Sequence, residues 1–226
     1  MDPELPAHAP LALAFDEHQS PSLCPLLHVR KHPRWPSPDK TGVPVVMGGI
    51  HATMRQEEAS ERMDAVVTGE AESVWAEVLS DLKRGILKKS YAGGHEEMDK
   101  TPHARHDLLP TGYHFGGIQT TRGCPLNCSF CSVGPFNGRK YRRRSNEDVV
   151  AEFRKIKEKH ILIVDDNLIG TSADHIERAK SLFRAMIEAD LGKEWICQAT
   201  INIADDEELL KLARKAGCIG AFIGFE

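Results

Sequence analysis

The sequence lacks any apolar run long enough to cross a membrane. A spanning helix needs roughly 20 mainly apolar residues, and no stretch of the 226 residues approaches that length. The apolar patch from Leu11 to Phe15 is short and has no basic flank, so we expect no signal peptide there. We therefore expect no membrane span.

A strong net charge is also missing. The formal charge is −4 and the isoelectric point is near 6.3, which does not favour nucleic acid as a partner. One basic run, Arg139 to Arg144, is an exception. It suggests RNA contact, a solvated face, or partners for a substrate carboxylate or for Asp148 and Glu152. We favour the solvated face or the carboxylate partners over RNA, because one short run in an acidic protein more often has one of these roles.

The chain has too few cysteines, too unevenly placed, for a disulfide framework. Three of the six are clustered, which suits a metal site in a reducing compartment, so we expect a cytoplasmic location. Cys197 and Cys218 lie in apolar surroundings and are expected to be core thiols.

Residues 1–42 are rich in proline, and the first 40 contain eight of the chain's 13. They show no helical or strand periodicity, so we expect an irregular segment. Regular patterning begins at Val43. Apolar strands are predicted at Val43–Met47 and Ala65–Val67, with helices at 56–63 and 71–84. Residues 43–88 are therefore expected to form a domain, and residues 89–112, with the pair Gly93-Gly94 and several charges, a linker.

Residues 113–226 alternate again between strands and helices. Strands are predicted at 118–121, 161–164, 195–198 and 219–225, each separated from the next by a helical pattern. Continuous apolar strands joined by helices indicate an α/β fold with a parallel sheet covered on both faces. Polar residues follow the strand ends, where such folds place their sites.

The most informative motif is C-x-x-x-C-x-x-C, formed by Cys124, Cys128 and Cys131. Iron–sulfur clusters usually take four cysteines, so three thiolates can hold three irons of a [4Fe–4S] cluster and leave the fourth iron open. The alternative is zinc, with a fourth ligand from His114, His160 or Cys197. We favour the cluster.

This motif, with Phe130 before its last cysteine, resembles the signature of radical S-adenosylmethionine (SAM) enzymes. The stretches Gly48–Thr53 and Val67–Glu72 resemble the end of the cobalamin-binding domain found in one subgroup of them. The stretch Arg105–Leu109 resembles that subgroup's interdomain linker. The resemblance implies a partial (β/α) radical SAM barrel, with about four of six strands, at 113–226. The C-terminal part of a Rossmann-like cobalamin-binding domain would precede it, with both ends of the larger protein missing.

The resemblance also implies roles for individual residues. Cys124, Cys128 and Cys131 would ligate the cluster, whose open iron SAM would chelate. The residues expected around SAM are Phe130, Asp165, Asp166, Asn167, Gln198, Thr200 and Glu226. Those expected at cobalamin are Gly48, Gly49, His51, Gly69 and Glu70. Alternatives stay open: the two aspartates are also typical of a helix cap or a magnesium site, and a glycine pair after a strand is usually a tight turn.

The implied activity is reductive cleavage of SAM to a 5′-deoxyadenosyl radical, used to methylate, cyclise or rearrange an unknown small molecule. An electron donor such as flavodoxin or ferredoxin would be the protein partner. No side chain is assigned a catalytic role. The competing hypotheses are a non-catalytic zinc-binding or RNA-binding module, and an inactive fragment.

Overall fold

The computed structural model describes the backbone of Ala12–Ala14 and residues 43–109 and 112–224. The chain divides into two compact units, Met1–Glu96 and Glu97–Glu226. None of the helices in these described ranges is long and apolar enough to cross a membrane.

Unit one is built on a parallel sheet of four strands in the order β1-β2-β3-β4. The strands are β1 (Ala12–Ala14), β2 (Val45–Met47), β3 (Ala65–Thr68) and β4 (Ser90–Ala92). The helices are α1 (Ile50–Met54), α2 (Gln56–Ser60) and α3 (Trp75–Lys83), with a 3₁₀ turn at Ala71–Ser73. All residues of β2 and the first three of β3 are buried, as expected for strands covered on both faces.

Two strands of unit one lie where none was predicted. Strand β1 falls in the segment expected to be irregular, and β4 falls in the range expected to be a linker. Each has three residues, which is too short for a periodic pattern to appear in the sequence. In β4 only Tyr91 is buried, at 3% exposure. Pairing with β2 and β3 therefore defines these strands, and local sequence does not.

Unit two contains a second parallel sheet of four strands, in the order β10-β9-β8-β5. A separate antiparallel hairpin joins β6 to β7. The strands are β5 (Phe115–Ile118), β6 (Thr121–Arg122), β7 (Arg142–Arg143), β8 (His160–Ile163), β9 (Glu194–Ala199) and β10 (Cys218–Ile223). The helices are α4 (Val133–Asn137), α5 (Asn146–Phe153), α6 (Ala173–Glu188) and α7 (Glu207–Lys215). Short 3₁₀ helices occupy Met98–Lys100, His106–Leu108 and Ile201–Asp205. The predicted alternation of strands and helices is confirmed.

The core of unit two forms where α6 covers the sheet. Leu182, Phe183 and Met186 are buried on one face of α6, and the rings of Phe183 and Trp195 lie 5.3 Å apart. Ser145 caps helix α5, since its Oγ accepts a hydrogen bond from the backbone N–H of Asp148 at 3.4 Å. Cys197 is a buried core thiol as predicted, whereas Cys218 is only half-buried.

The second half of the predicted linker is bound to α5. His103 lies 2.7 Å from Asp148, His106 lies 2.8 Å from Glu152, and the backbone N–H of Ala104 donates to Glu152 at 3.1 Å. Glu152 also bonds to Arg144. We call residues 103–106 the strap. It is an ordered part of unit two.

Candidate functional site

The cysteine loop starts directly after β6, and the hairpin fixes its position. Gly123 has φ +87°, and a Cβ there would lie 2.4 Å from the carbonyl oxygen of Lys140. Only glycine fits such a close backbone approach. The backbone N–H of Cys124 donates to the carbonyl of Gly138 at 3.3 Å. The segment after α4 therefore runs beside the start of the cysteine loop.

Cys124, Cys128 and Cys131 line one cavity of about 180 Å³. Cys128 is exposed, and the other two are half-buried. Apolar and small residues form much of the wall, including Leu126, Val133 and Gly134. Arg139 is the one charged side chain among the described residues lining it. Among the residues that the structure describes, no three His, Cys, Asp or Glu side chains are grouped closely enough to hold a single metal ion.

The chemistry of the three cysteine thiols suits an iron–sulfur cluster. Thiolates are soft ligands that select zinc, copper(I) and iron–sulfur clusters. Zinc needs its ligands around one ion at about 2.3 Å, whereas each thiolate of a cluster binds a different iron. Burial raises the pKa of the Cys124 thiol, and a hydrogen bond with Asn167 opposes that rise. Three thiols on one cavity wall therefore fit a cluster.

Asp165 is placed differently from its expected role at SAM. It is fully buried, and its two oxygens accept 2.5 Å hydrogen bonds from the N–H and the hydroxyl of Thr120. Burial raises the pKa of this carboxyl, with Thr120 and Arg178 opposing the rise. A carboxylate with both oxygens engaged and no exposed surface is not available to a SAM amino group. The Asp165 side chain also does not line the thiol cavity.

Asp166 connects β8 to both ends of the cysteine loop. Its Oδ2 accepts hydrogen bonds from the backbone N–H of Gly123 at 3.3 Å and from the Asn137 side chain at 2.9 Å. Gly123 precedes the first cysteine, and Asn137 ends the helix that follows the last one. Asp166 therefore fixes the position of the loop at two points.

Asn167 and Thr200 are brought together at the ends of β8 and β9. Asn167 is 2% exposed and donates to Thr200 Oγ1 at 3.3 Å. Gln198 is exposed, and its amide donates to the backbone carbonyl of Asp165 at 3.4 Å. Phe130 is 66% exposed. Glu226 lies outside the described residues.

The residues expected at cobalamin lie at the ends of β2 and β3 in unit one. The Thr53 hydroxyl links two of the turns, since it accepts from the N–H of Gly69 at 3.0 Å and donates to the carbonyl of Gly49 at 2.9 Å. Gly69 has φ +69°, and a Cβ there would lie 2.4 Å from the carbonyl oxygen of Gly93. The remaining three are Gly48, the half-buried His51 on α1, and Glu70.

Glu70 has partners within unit one. It is 8% exposed, and its carboxylate accepts from the N–H of Glu96 at 3.0 Å and lies 3.4 Å from His95. Of the residues at these strand ends, Gly49 is exposed, and Gly48, Thr53 and Gly69 are half-buried. The glycines are needed there by the backbone geometry alone.

Three residues of the site were not predicted. Thr120 hydrogen-bonds to Asp165, which lies 45 residues later in the chain, and Asn137 hydrogen-bonds to Asp166, which lies 29 residues later. A single sequence carries no signal for such pairs. Arg139 was visible as part of the basic run, but its place on the cavity wall depends on the β6–β7 hairpin.

Comparison with known proteins finds one matching family model and several relatives. Residues 118–226 match the family model of the Radical SAM superfamily. Bacteriochlorophyllide d C-12(1)-methyltransferase from Chlorobaculum tepidum is 31% identical over 202 residues, covering 80% of this chain and 41% of that protein. Bacteriochlorophyllide d C-8(2)-methyltransferase from the same organism is 30% identical over 207 residues, covering 83% of this chain and 45% of that protein. The chain thus spans less than half the length of these relatives.

A solved structure shares the fold. The radical S-adenosylmethionine methyltransferase TsrM from Kitasatospora setae, with cobalamin and a [4Fe-4S] cluster bound, superposes with a TM-score of 0.62 at 19% identity. The match covers 82% of this chain and 43% of TsrM. The predicted α/β class with parallel sheets is confirmed.

Proposed function

The chain belongs to the radical SAM superfamily, and from this premise we propose that it supplies the iron–sulfur and SAM centre of a methyltransferase acting on a small molecule. The observation that supports the proposal most is the single cavity shared by Cys124, Cys128 and Cys131. This cavity lies within the residues that match the family model. Both relatives named above are methyltransferases, which favours methyl transfer over cyclisation or rearrangement.

The three cysteines would hold a [4Fe–4S] cluster, with one iron left for the amino and carboxylate groups of SAM. The chemistry that this group supplies when bound is one-electron cleavage of SAM to a 5′-deoxyadenosyl radical. The protein contributes position and exclusion of water. Asp166 holds the loop at Gly123 and Asn137, and Leu126 and Val133 give the cavity an apolar wall.

We propose a smaller set of residues around SAM than the family resemblance implies. Asn167 and Thr200 form one polar pair at the strand ends, and Asn167 also reaches the Cys124 thiol. Phe130 has an exposed ring next to Cys131, which suits stacking on an adenine. Asp166 and Gln198 complete the proposed set. Asp165 acts through Thr120 as a positioning residue instead.

Unit one is proposed to contribute to a cobalamin site. The TsrM structure of similar fold was solved with cobalamin bound. In this chain the turns at Gly49 and Gly69 meet at Thr53, so they present backbone without side chains at the ends of two parallel strands. Ligands of open α/β sheets bind at such ends.

Anaerobic reconstitution with iron and sulfide tests the iron–sulfur proposal. We expect about four irons and four sulfides per chain and an absorbance band near about 400 nm that changes when SAM is added. The variant Cys128→Ala should lose most of the bound iron, because one of three ligands is gone. The matched control Cys218→Ala removes a thiol outside the cavity and should retain the iron.

The zinc alternative makes the opposite prediction. Uptake of one zinc per chain, with no sulfide and no response to SAM, would contradict the proposal. Equal iron loss in Cys128→Ala and Cys218→Ala would also contradict it, because the loss would then reflect general unfolding.

A further inference from the structure

The loop between β8 and α6, residues 164–172, carries Asn167 to the cysteine loop. The Asn167 side chain hydrogen-bonds with the Cys124 thiol and with the Thr200 hydroxyl. Its Oδ1 also accepts from the backbone N–H of Gly170 at 3.2 Å. The position of the Asn167 amide beside the first cysteine therefore depends on the conformation of the residues that follow it. We call residues 164–172 the β8–α6 loop.

Two neighbouring segments hold the middle of the β8–α6 loop. The hydroxyl of Tyr141, which precedes β7, donates to the carbonyl of Leu168 at 2.5 Å. The side chains of Thr200 and Asn202, which follow β9, each donate to the carbonyl of Gly170 at 3.3 Å. These contacts fix the loop from the hairpin side and from the sheet side.

His175, in the first turn of α6, holds the end of the loop. Its Nδ1 accepts hydrogen bonds from the backbone N–H groups of Thr171 at 3.3 Å and Ser172 at 3.5 Å. Gly170 has φ +62°, and a Cβ there would lie 2.5 Å from this nitrogen, so the loop backbone packs directly on the imidazole. The other neighbour of the ring is Tyr141, with the ring centroids 4.2 Å apart.

These contacts require a neutral imidazole. A nitrogen that accepts hydrogen bonds carries no proton, so protonation at Nδ1 would set an N–H against two backbone N–H groups and break both bonds. Burial lowers the pKa of His175 below its ordinary 6.5, and the charge of Arg143 adds to this, while Asp174 opposes it. The stacked Tyr141 adds no charge, because burial raises its pKa to about 12.

We propose that His175 is a positioning residue that keeps the β8–α6 loop closed on the cysteine loop while its ring is neutral, and releases the loop on protonation. Release would free the Gly170 N–H that orients the Asn167 amide. The inference rests on the proposed function, because Asn167 and Thr200 belong to the set proposed around SAM. We therefore expect SAM binding to weaken when the loop is released.

The direction of the pH effect follows from linkage. The closed loop binds a proton at His175 less readily than the released loop does, since its pKa is lowered in the closed state. Closure is therefore fully favoured above the ordinary pKa of 6.5 and weakens as the pH falls below it.

Hydrogen–deuterium exchange of the chain as isolated, measured by mass spectrometry on peptides that cover residues 166–172, reports whether the loop is held. Exchange times at about pH 7.5 and about pH 5.5, on either side of the ordinary histidine pKa, are scaled for the intrinsic rate of amide exchange. The second measurement is a SAM titration of the reconstituted protein, followed by the change in cluster absorbance.

Three variants separate the acceptor from the charge. His175→Gln keeps an acceptor at the third residue of α6, where glutamine is a favoured capping residue, but it cannot take up a proton. His175→Ala removes the acceptor. His114→Gln is the matched control, since this exposed histidine directly precedes β5 and lies at the end of the sheet away from the cysteine loop.

We expect the native chain and His114→Gln to lose about fivefold more loop protection than His175→Gln when the pH is lowered, because protonation removes hydrogen bonds from the loop. Their SAM affinity should fall by a similar factor relative to His175→Gln, a comparison that cancels the titration of SAM itself. His175→Ala should show low protection and weak SAM binding at both pH values.

An equal pH dependence of loop exchange in the native chain and His175→Gln would overturn the proposal. Native protection in His175→Ala at the higher pH would overturn it too, and release of the loop with unchanged SAM affinity would overturn the link to SAM. A reconstituted native chain whose absorbance does not respond to SAM would instead refute the proposed function, and the exchange measurement would still decide whether His175 holds the loop.

Discussion

Asp165 shows how one residue of a polar run can be fully buried while its neighbours contact other parts of the fold. The sequence predicts a carboxylate at SAM, yet the structure buries it against Thr120, with Arg178 donating to the same threonine at 3.3 Å. Its neighbours Asp166 and Asn167 face the cysteine loop and Thr200. One step along the chain therefore separates a side chain bound inside the fold from side chains that contact the cysteine loop and the end of β9.

Replacement of Asp165 by Asn should destabilise the protein by about 2 kcal/mol, because it turns one of the two buried acceptors of Thr120 into an amide donor and leaves buried polar groups unpaired. Chemical denaturation of the two proteins measures the difference. Asp174→Asn is the control, since Asp174 is 75% exposed and its pair with Arg143 should contribute below about 1 kcal/mol. An equal decrease in the free energy of unfolding in both variants would show that the buried contacts of Asp165 contribute no more than an exposed ion pair.

At the scale of elements, helices and strands were predicted correctly where apolar residues repeat over many positions. Helix α6 and strand β9 were predicted because their apolar residues repeat over many positions. Strands β1, β4, β6 and β7 were not predicted as strands, because two or three residues carry no period. The cysteine cavity was predicted by spacing alone, whereas Thr120 and Asn137 were not, because their contacts form only in the folded chain.

The strap on α5 gives an element-scale prediction about pH. Burial alone would raise the pKa of Glu152, but hydrogen bonds with His106 and Arg144 outweigh it and lower that pKa below the ordinary 4.5. As the pH falls through 4.5, the Glu152 carboxyl binds a proton in the unfolded chain before it does so in the folded chain. The free energy of unfolding therefore decreases as the pH falls. We expect a steep loss of stability between about pH 5 and pH 3.

Glu152→Gln should make that pH dependence shallower, with the rest of the slope due to other carboxyl groups of lowered pKa such as Asp148. It should also cost about 3 kcal/mol near neutral pH, because it leaves Arg144 buried without one of its charge partners. Denaturant midpoints measured across the pH range provide the test. Glu147→Gln, an exposed position on the same helix, should keep the native slope. If the stability of Glu152→Gln changed with pH as steeply as that of the native protein, Glu152 would not be a cause of the pH dependence.

At the scale of the whole molecule, each unit contains its own hydrophobic core. Val45, Met47 and Val66 are buried in unit one, and Phe183 and Trp195 are buried in unit two. The boundary between the units, after Glu96, lies inside the range 89–112 that the sequence predicted as a linker. The proposed iron site belongs to unit two alone.

Gly69→Ala in unit one should therefore lower stability without altering iron uptake. Its positive φ and the 2.4 Å approach to Gly93 predict a loss of about 2–3 kcal/mol. Gly85→Ala is the control: it has the same sign of φ (+68°) but no atom within 4 Å, so its loss should be about 1 kcal/mol. Thermal unfolding and iron content per chain are the measurements, and loss of iron in Gly69→Ala would contradict the separation.

The β6–β7 hairpin has one more consequence. Because Thr121 and Arg122 pair with Arg143 and Arg142, the ladder joins the stretch before the cysteines to the stretch after them. Asp166 holds the stretch between them at Gly123 and at Asn137, so a residue inserted into helix α4 (Val133–Asn137) would displace one of these two contacts. The rim of this pocket should therefore tolerate substitution at exposed wall positions such as Leu126 better than insertion, and a substitution there leaves the hairpin in place.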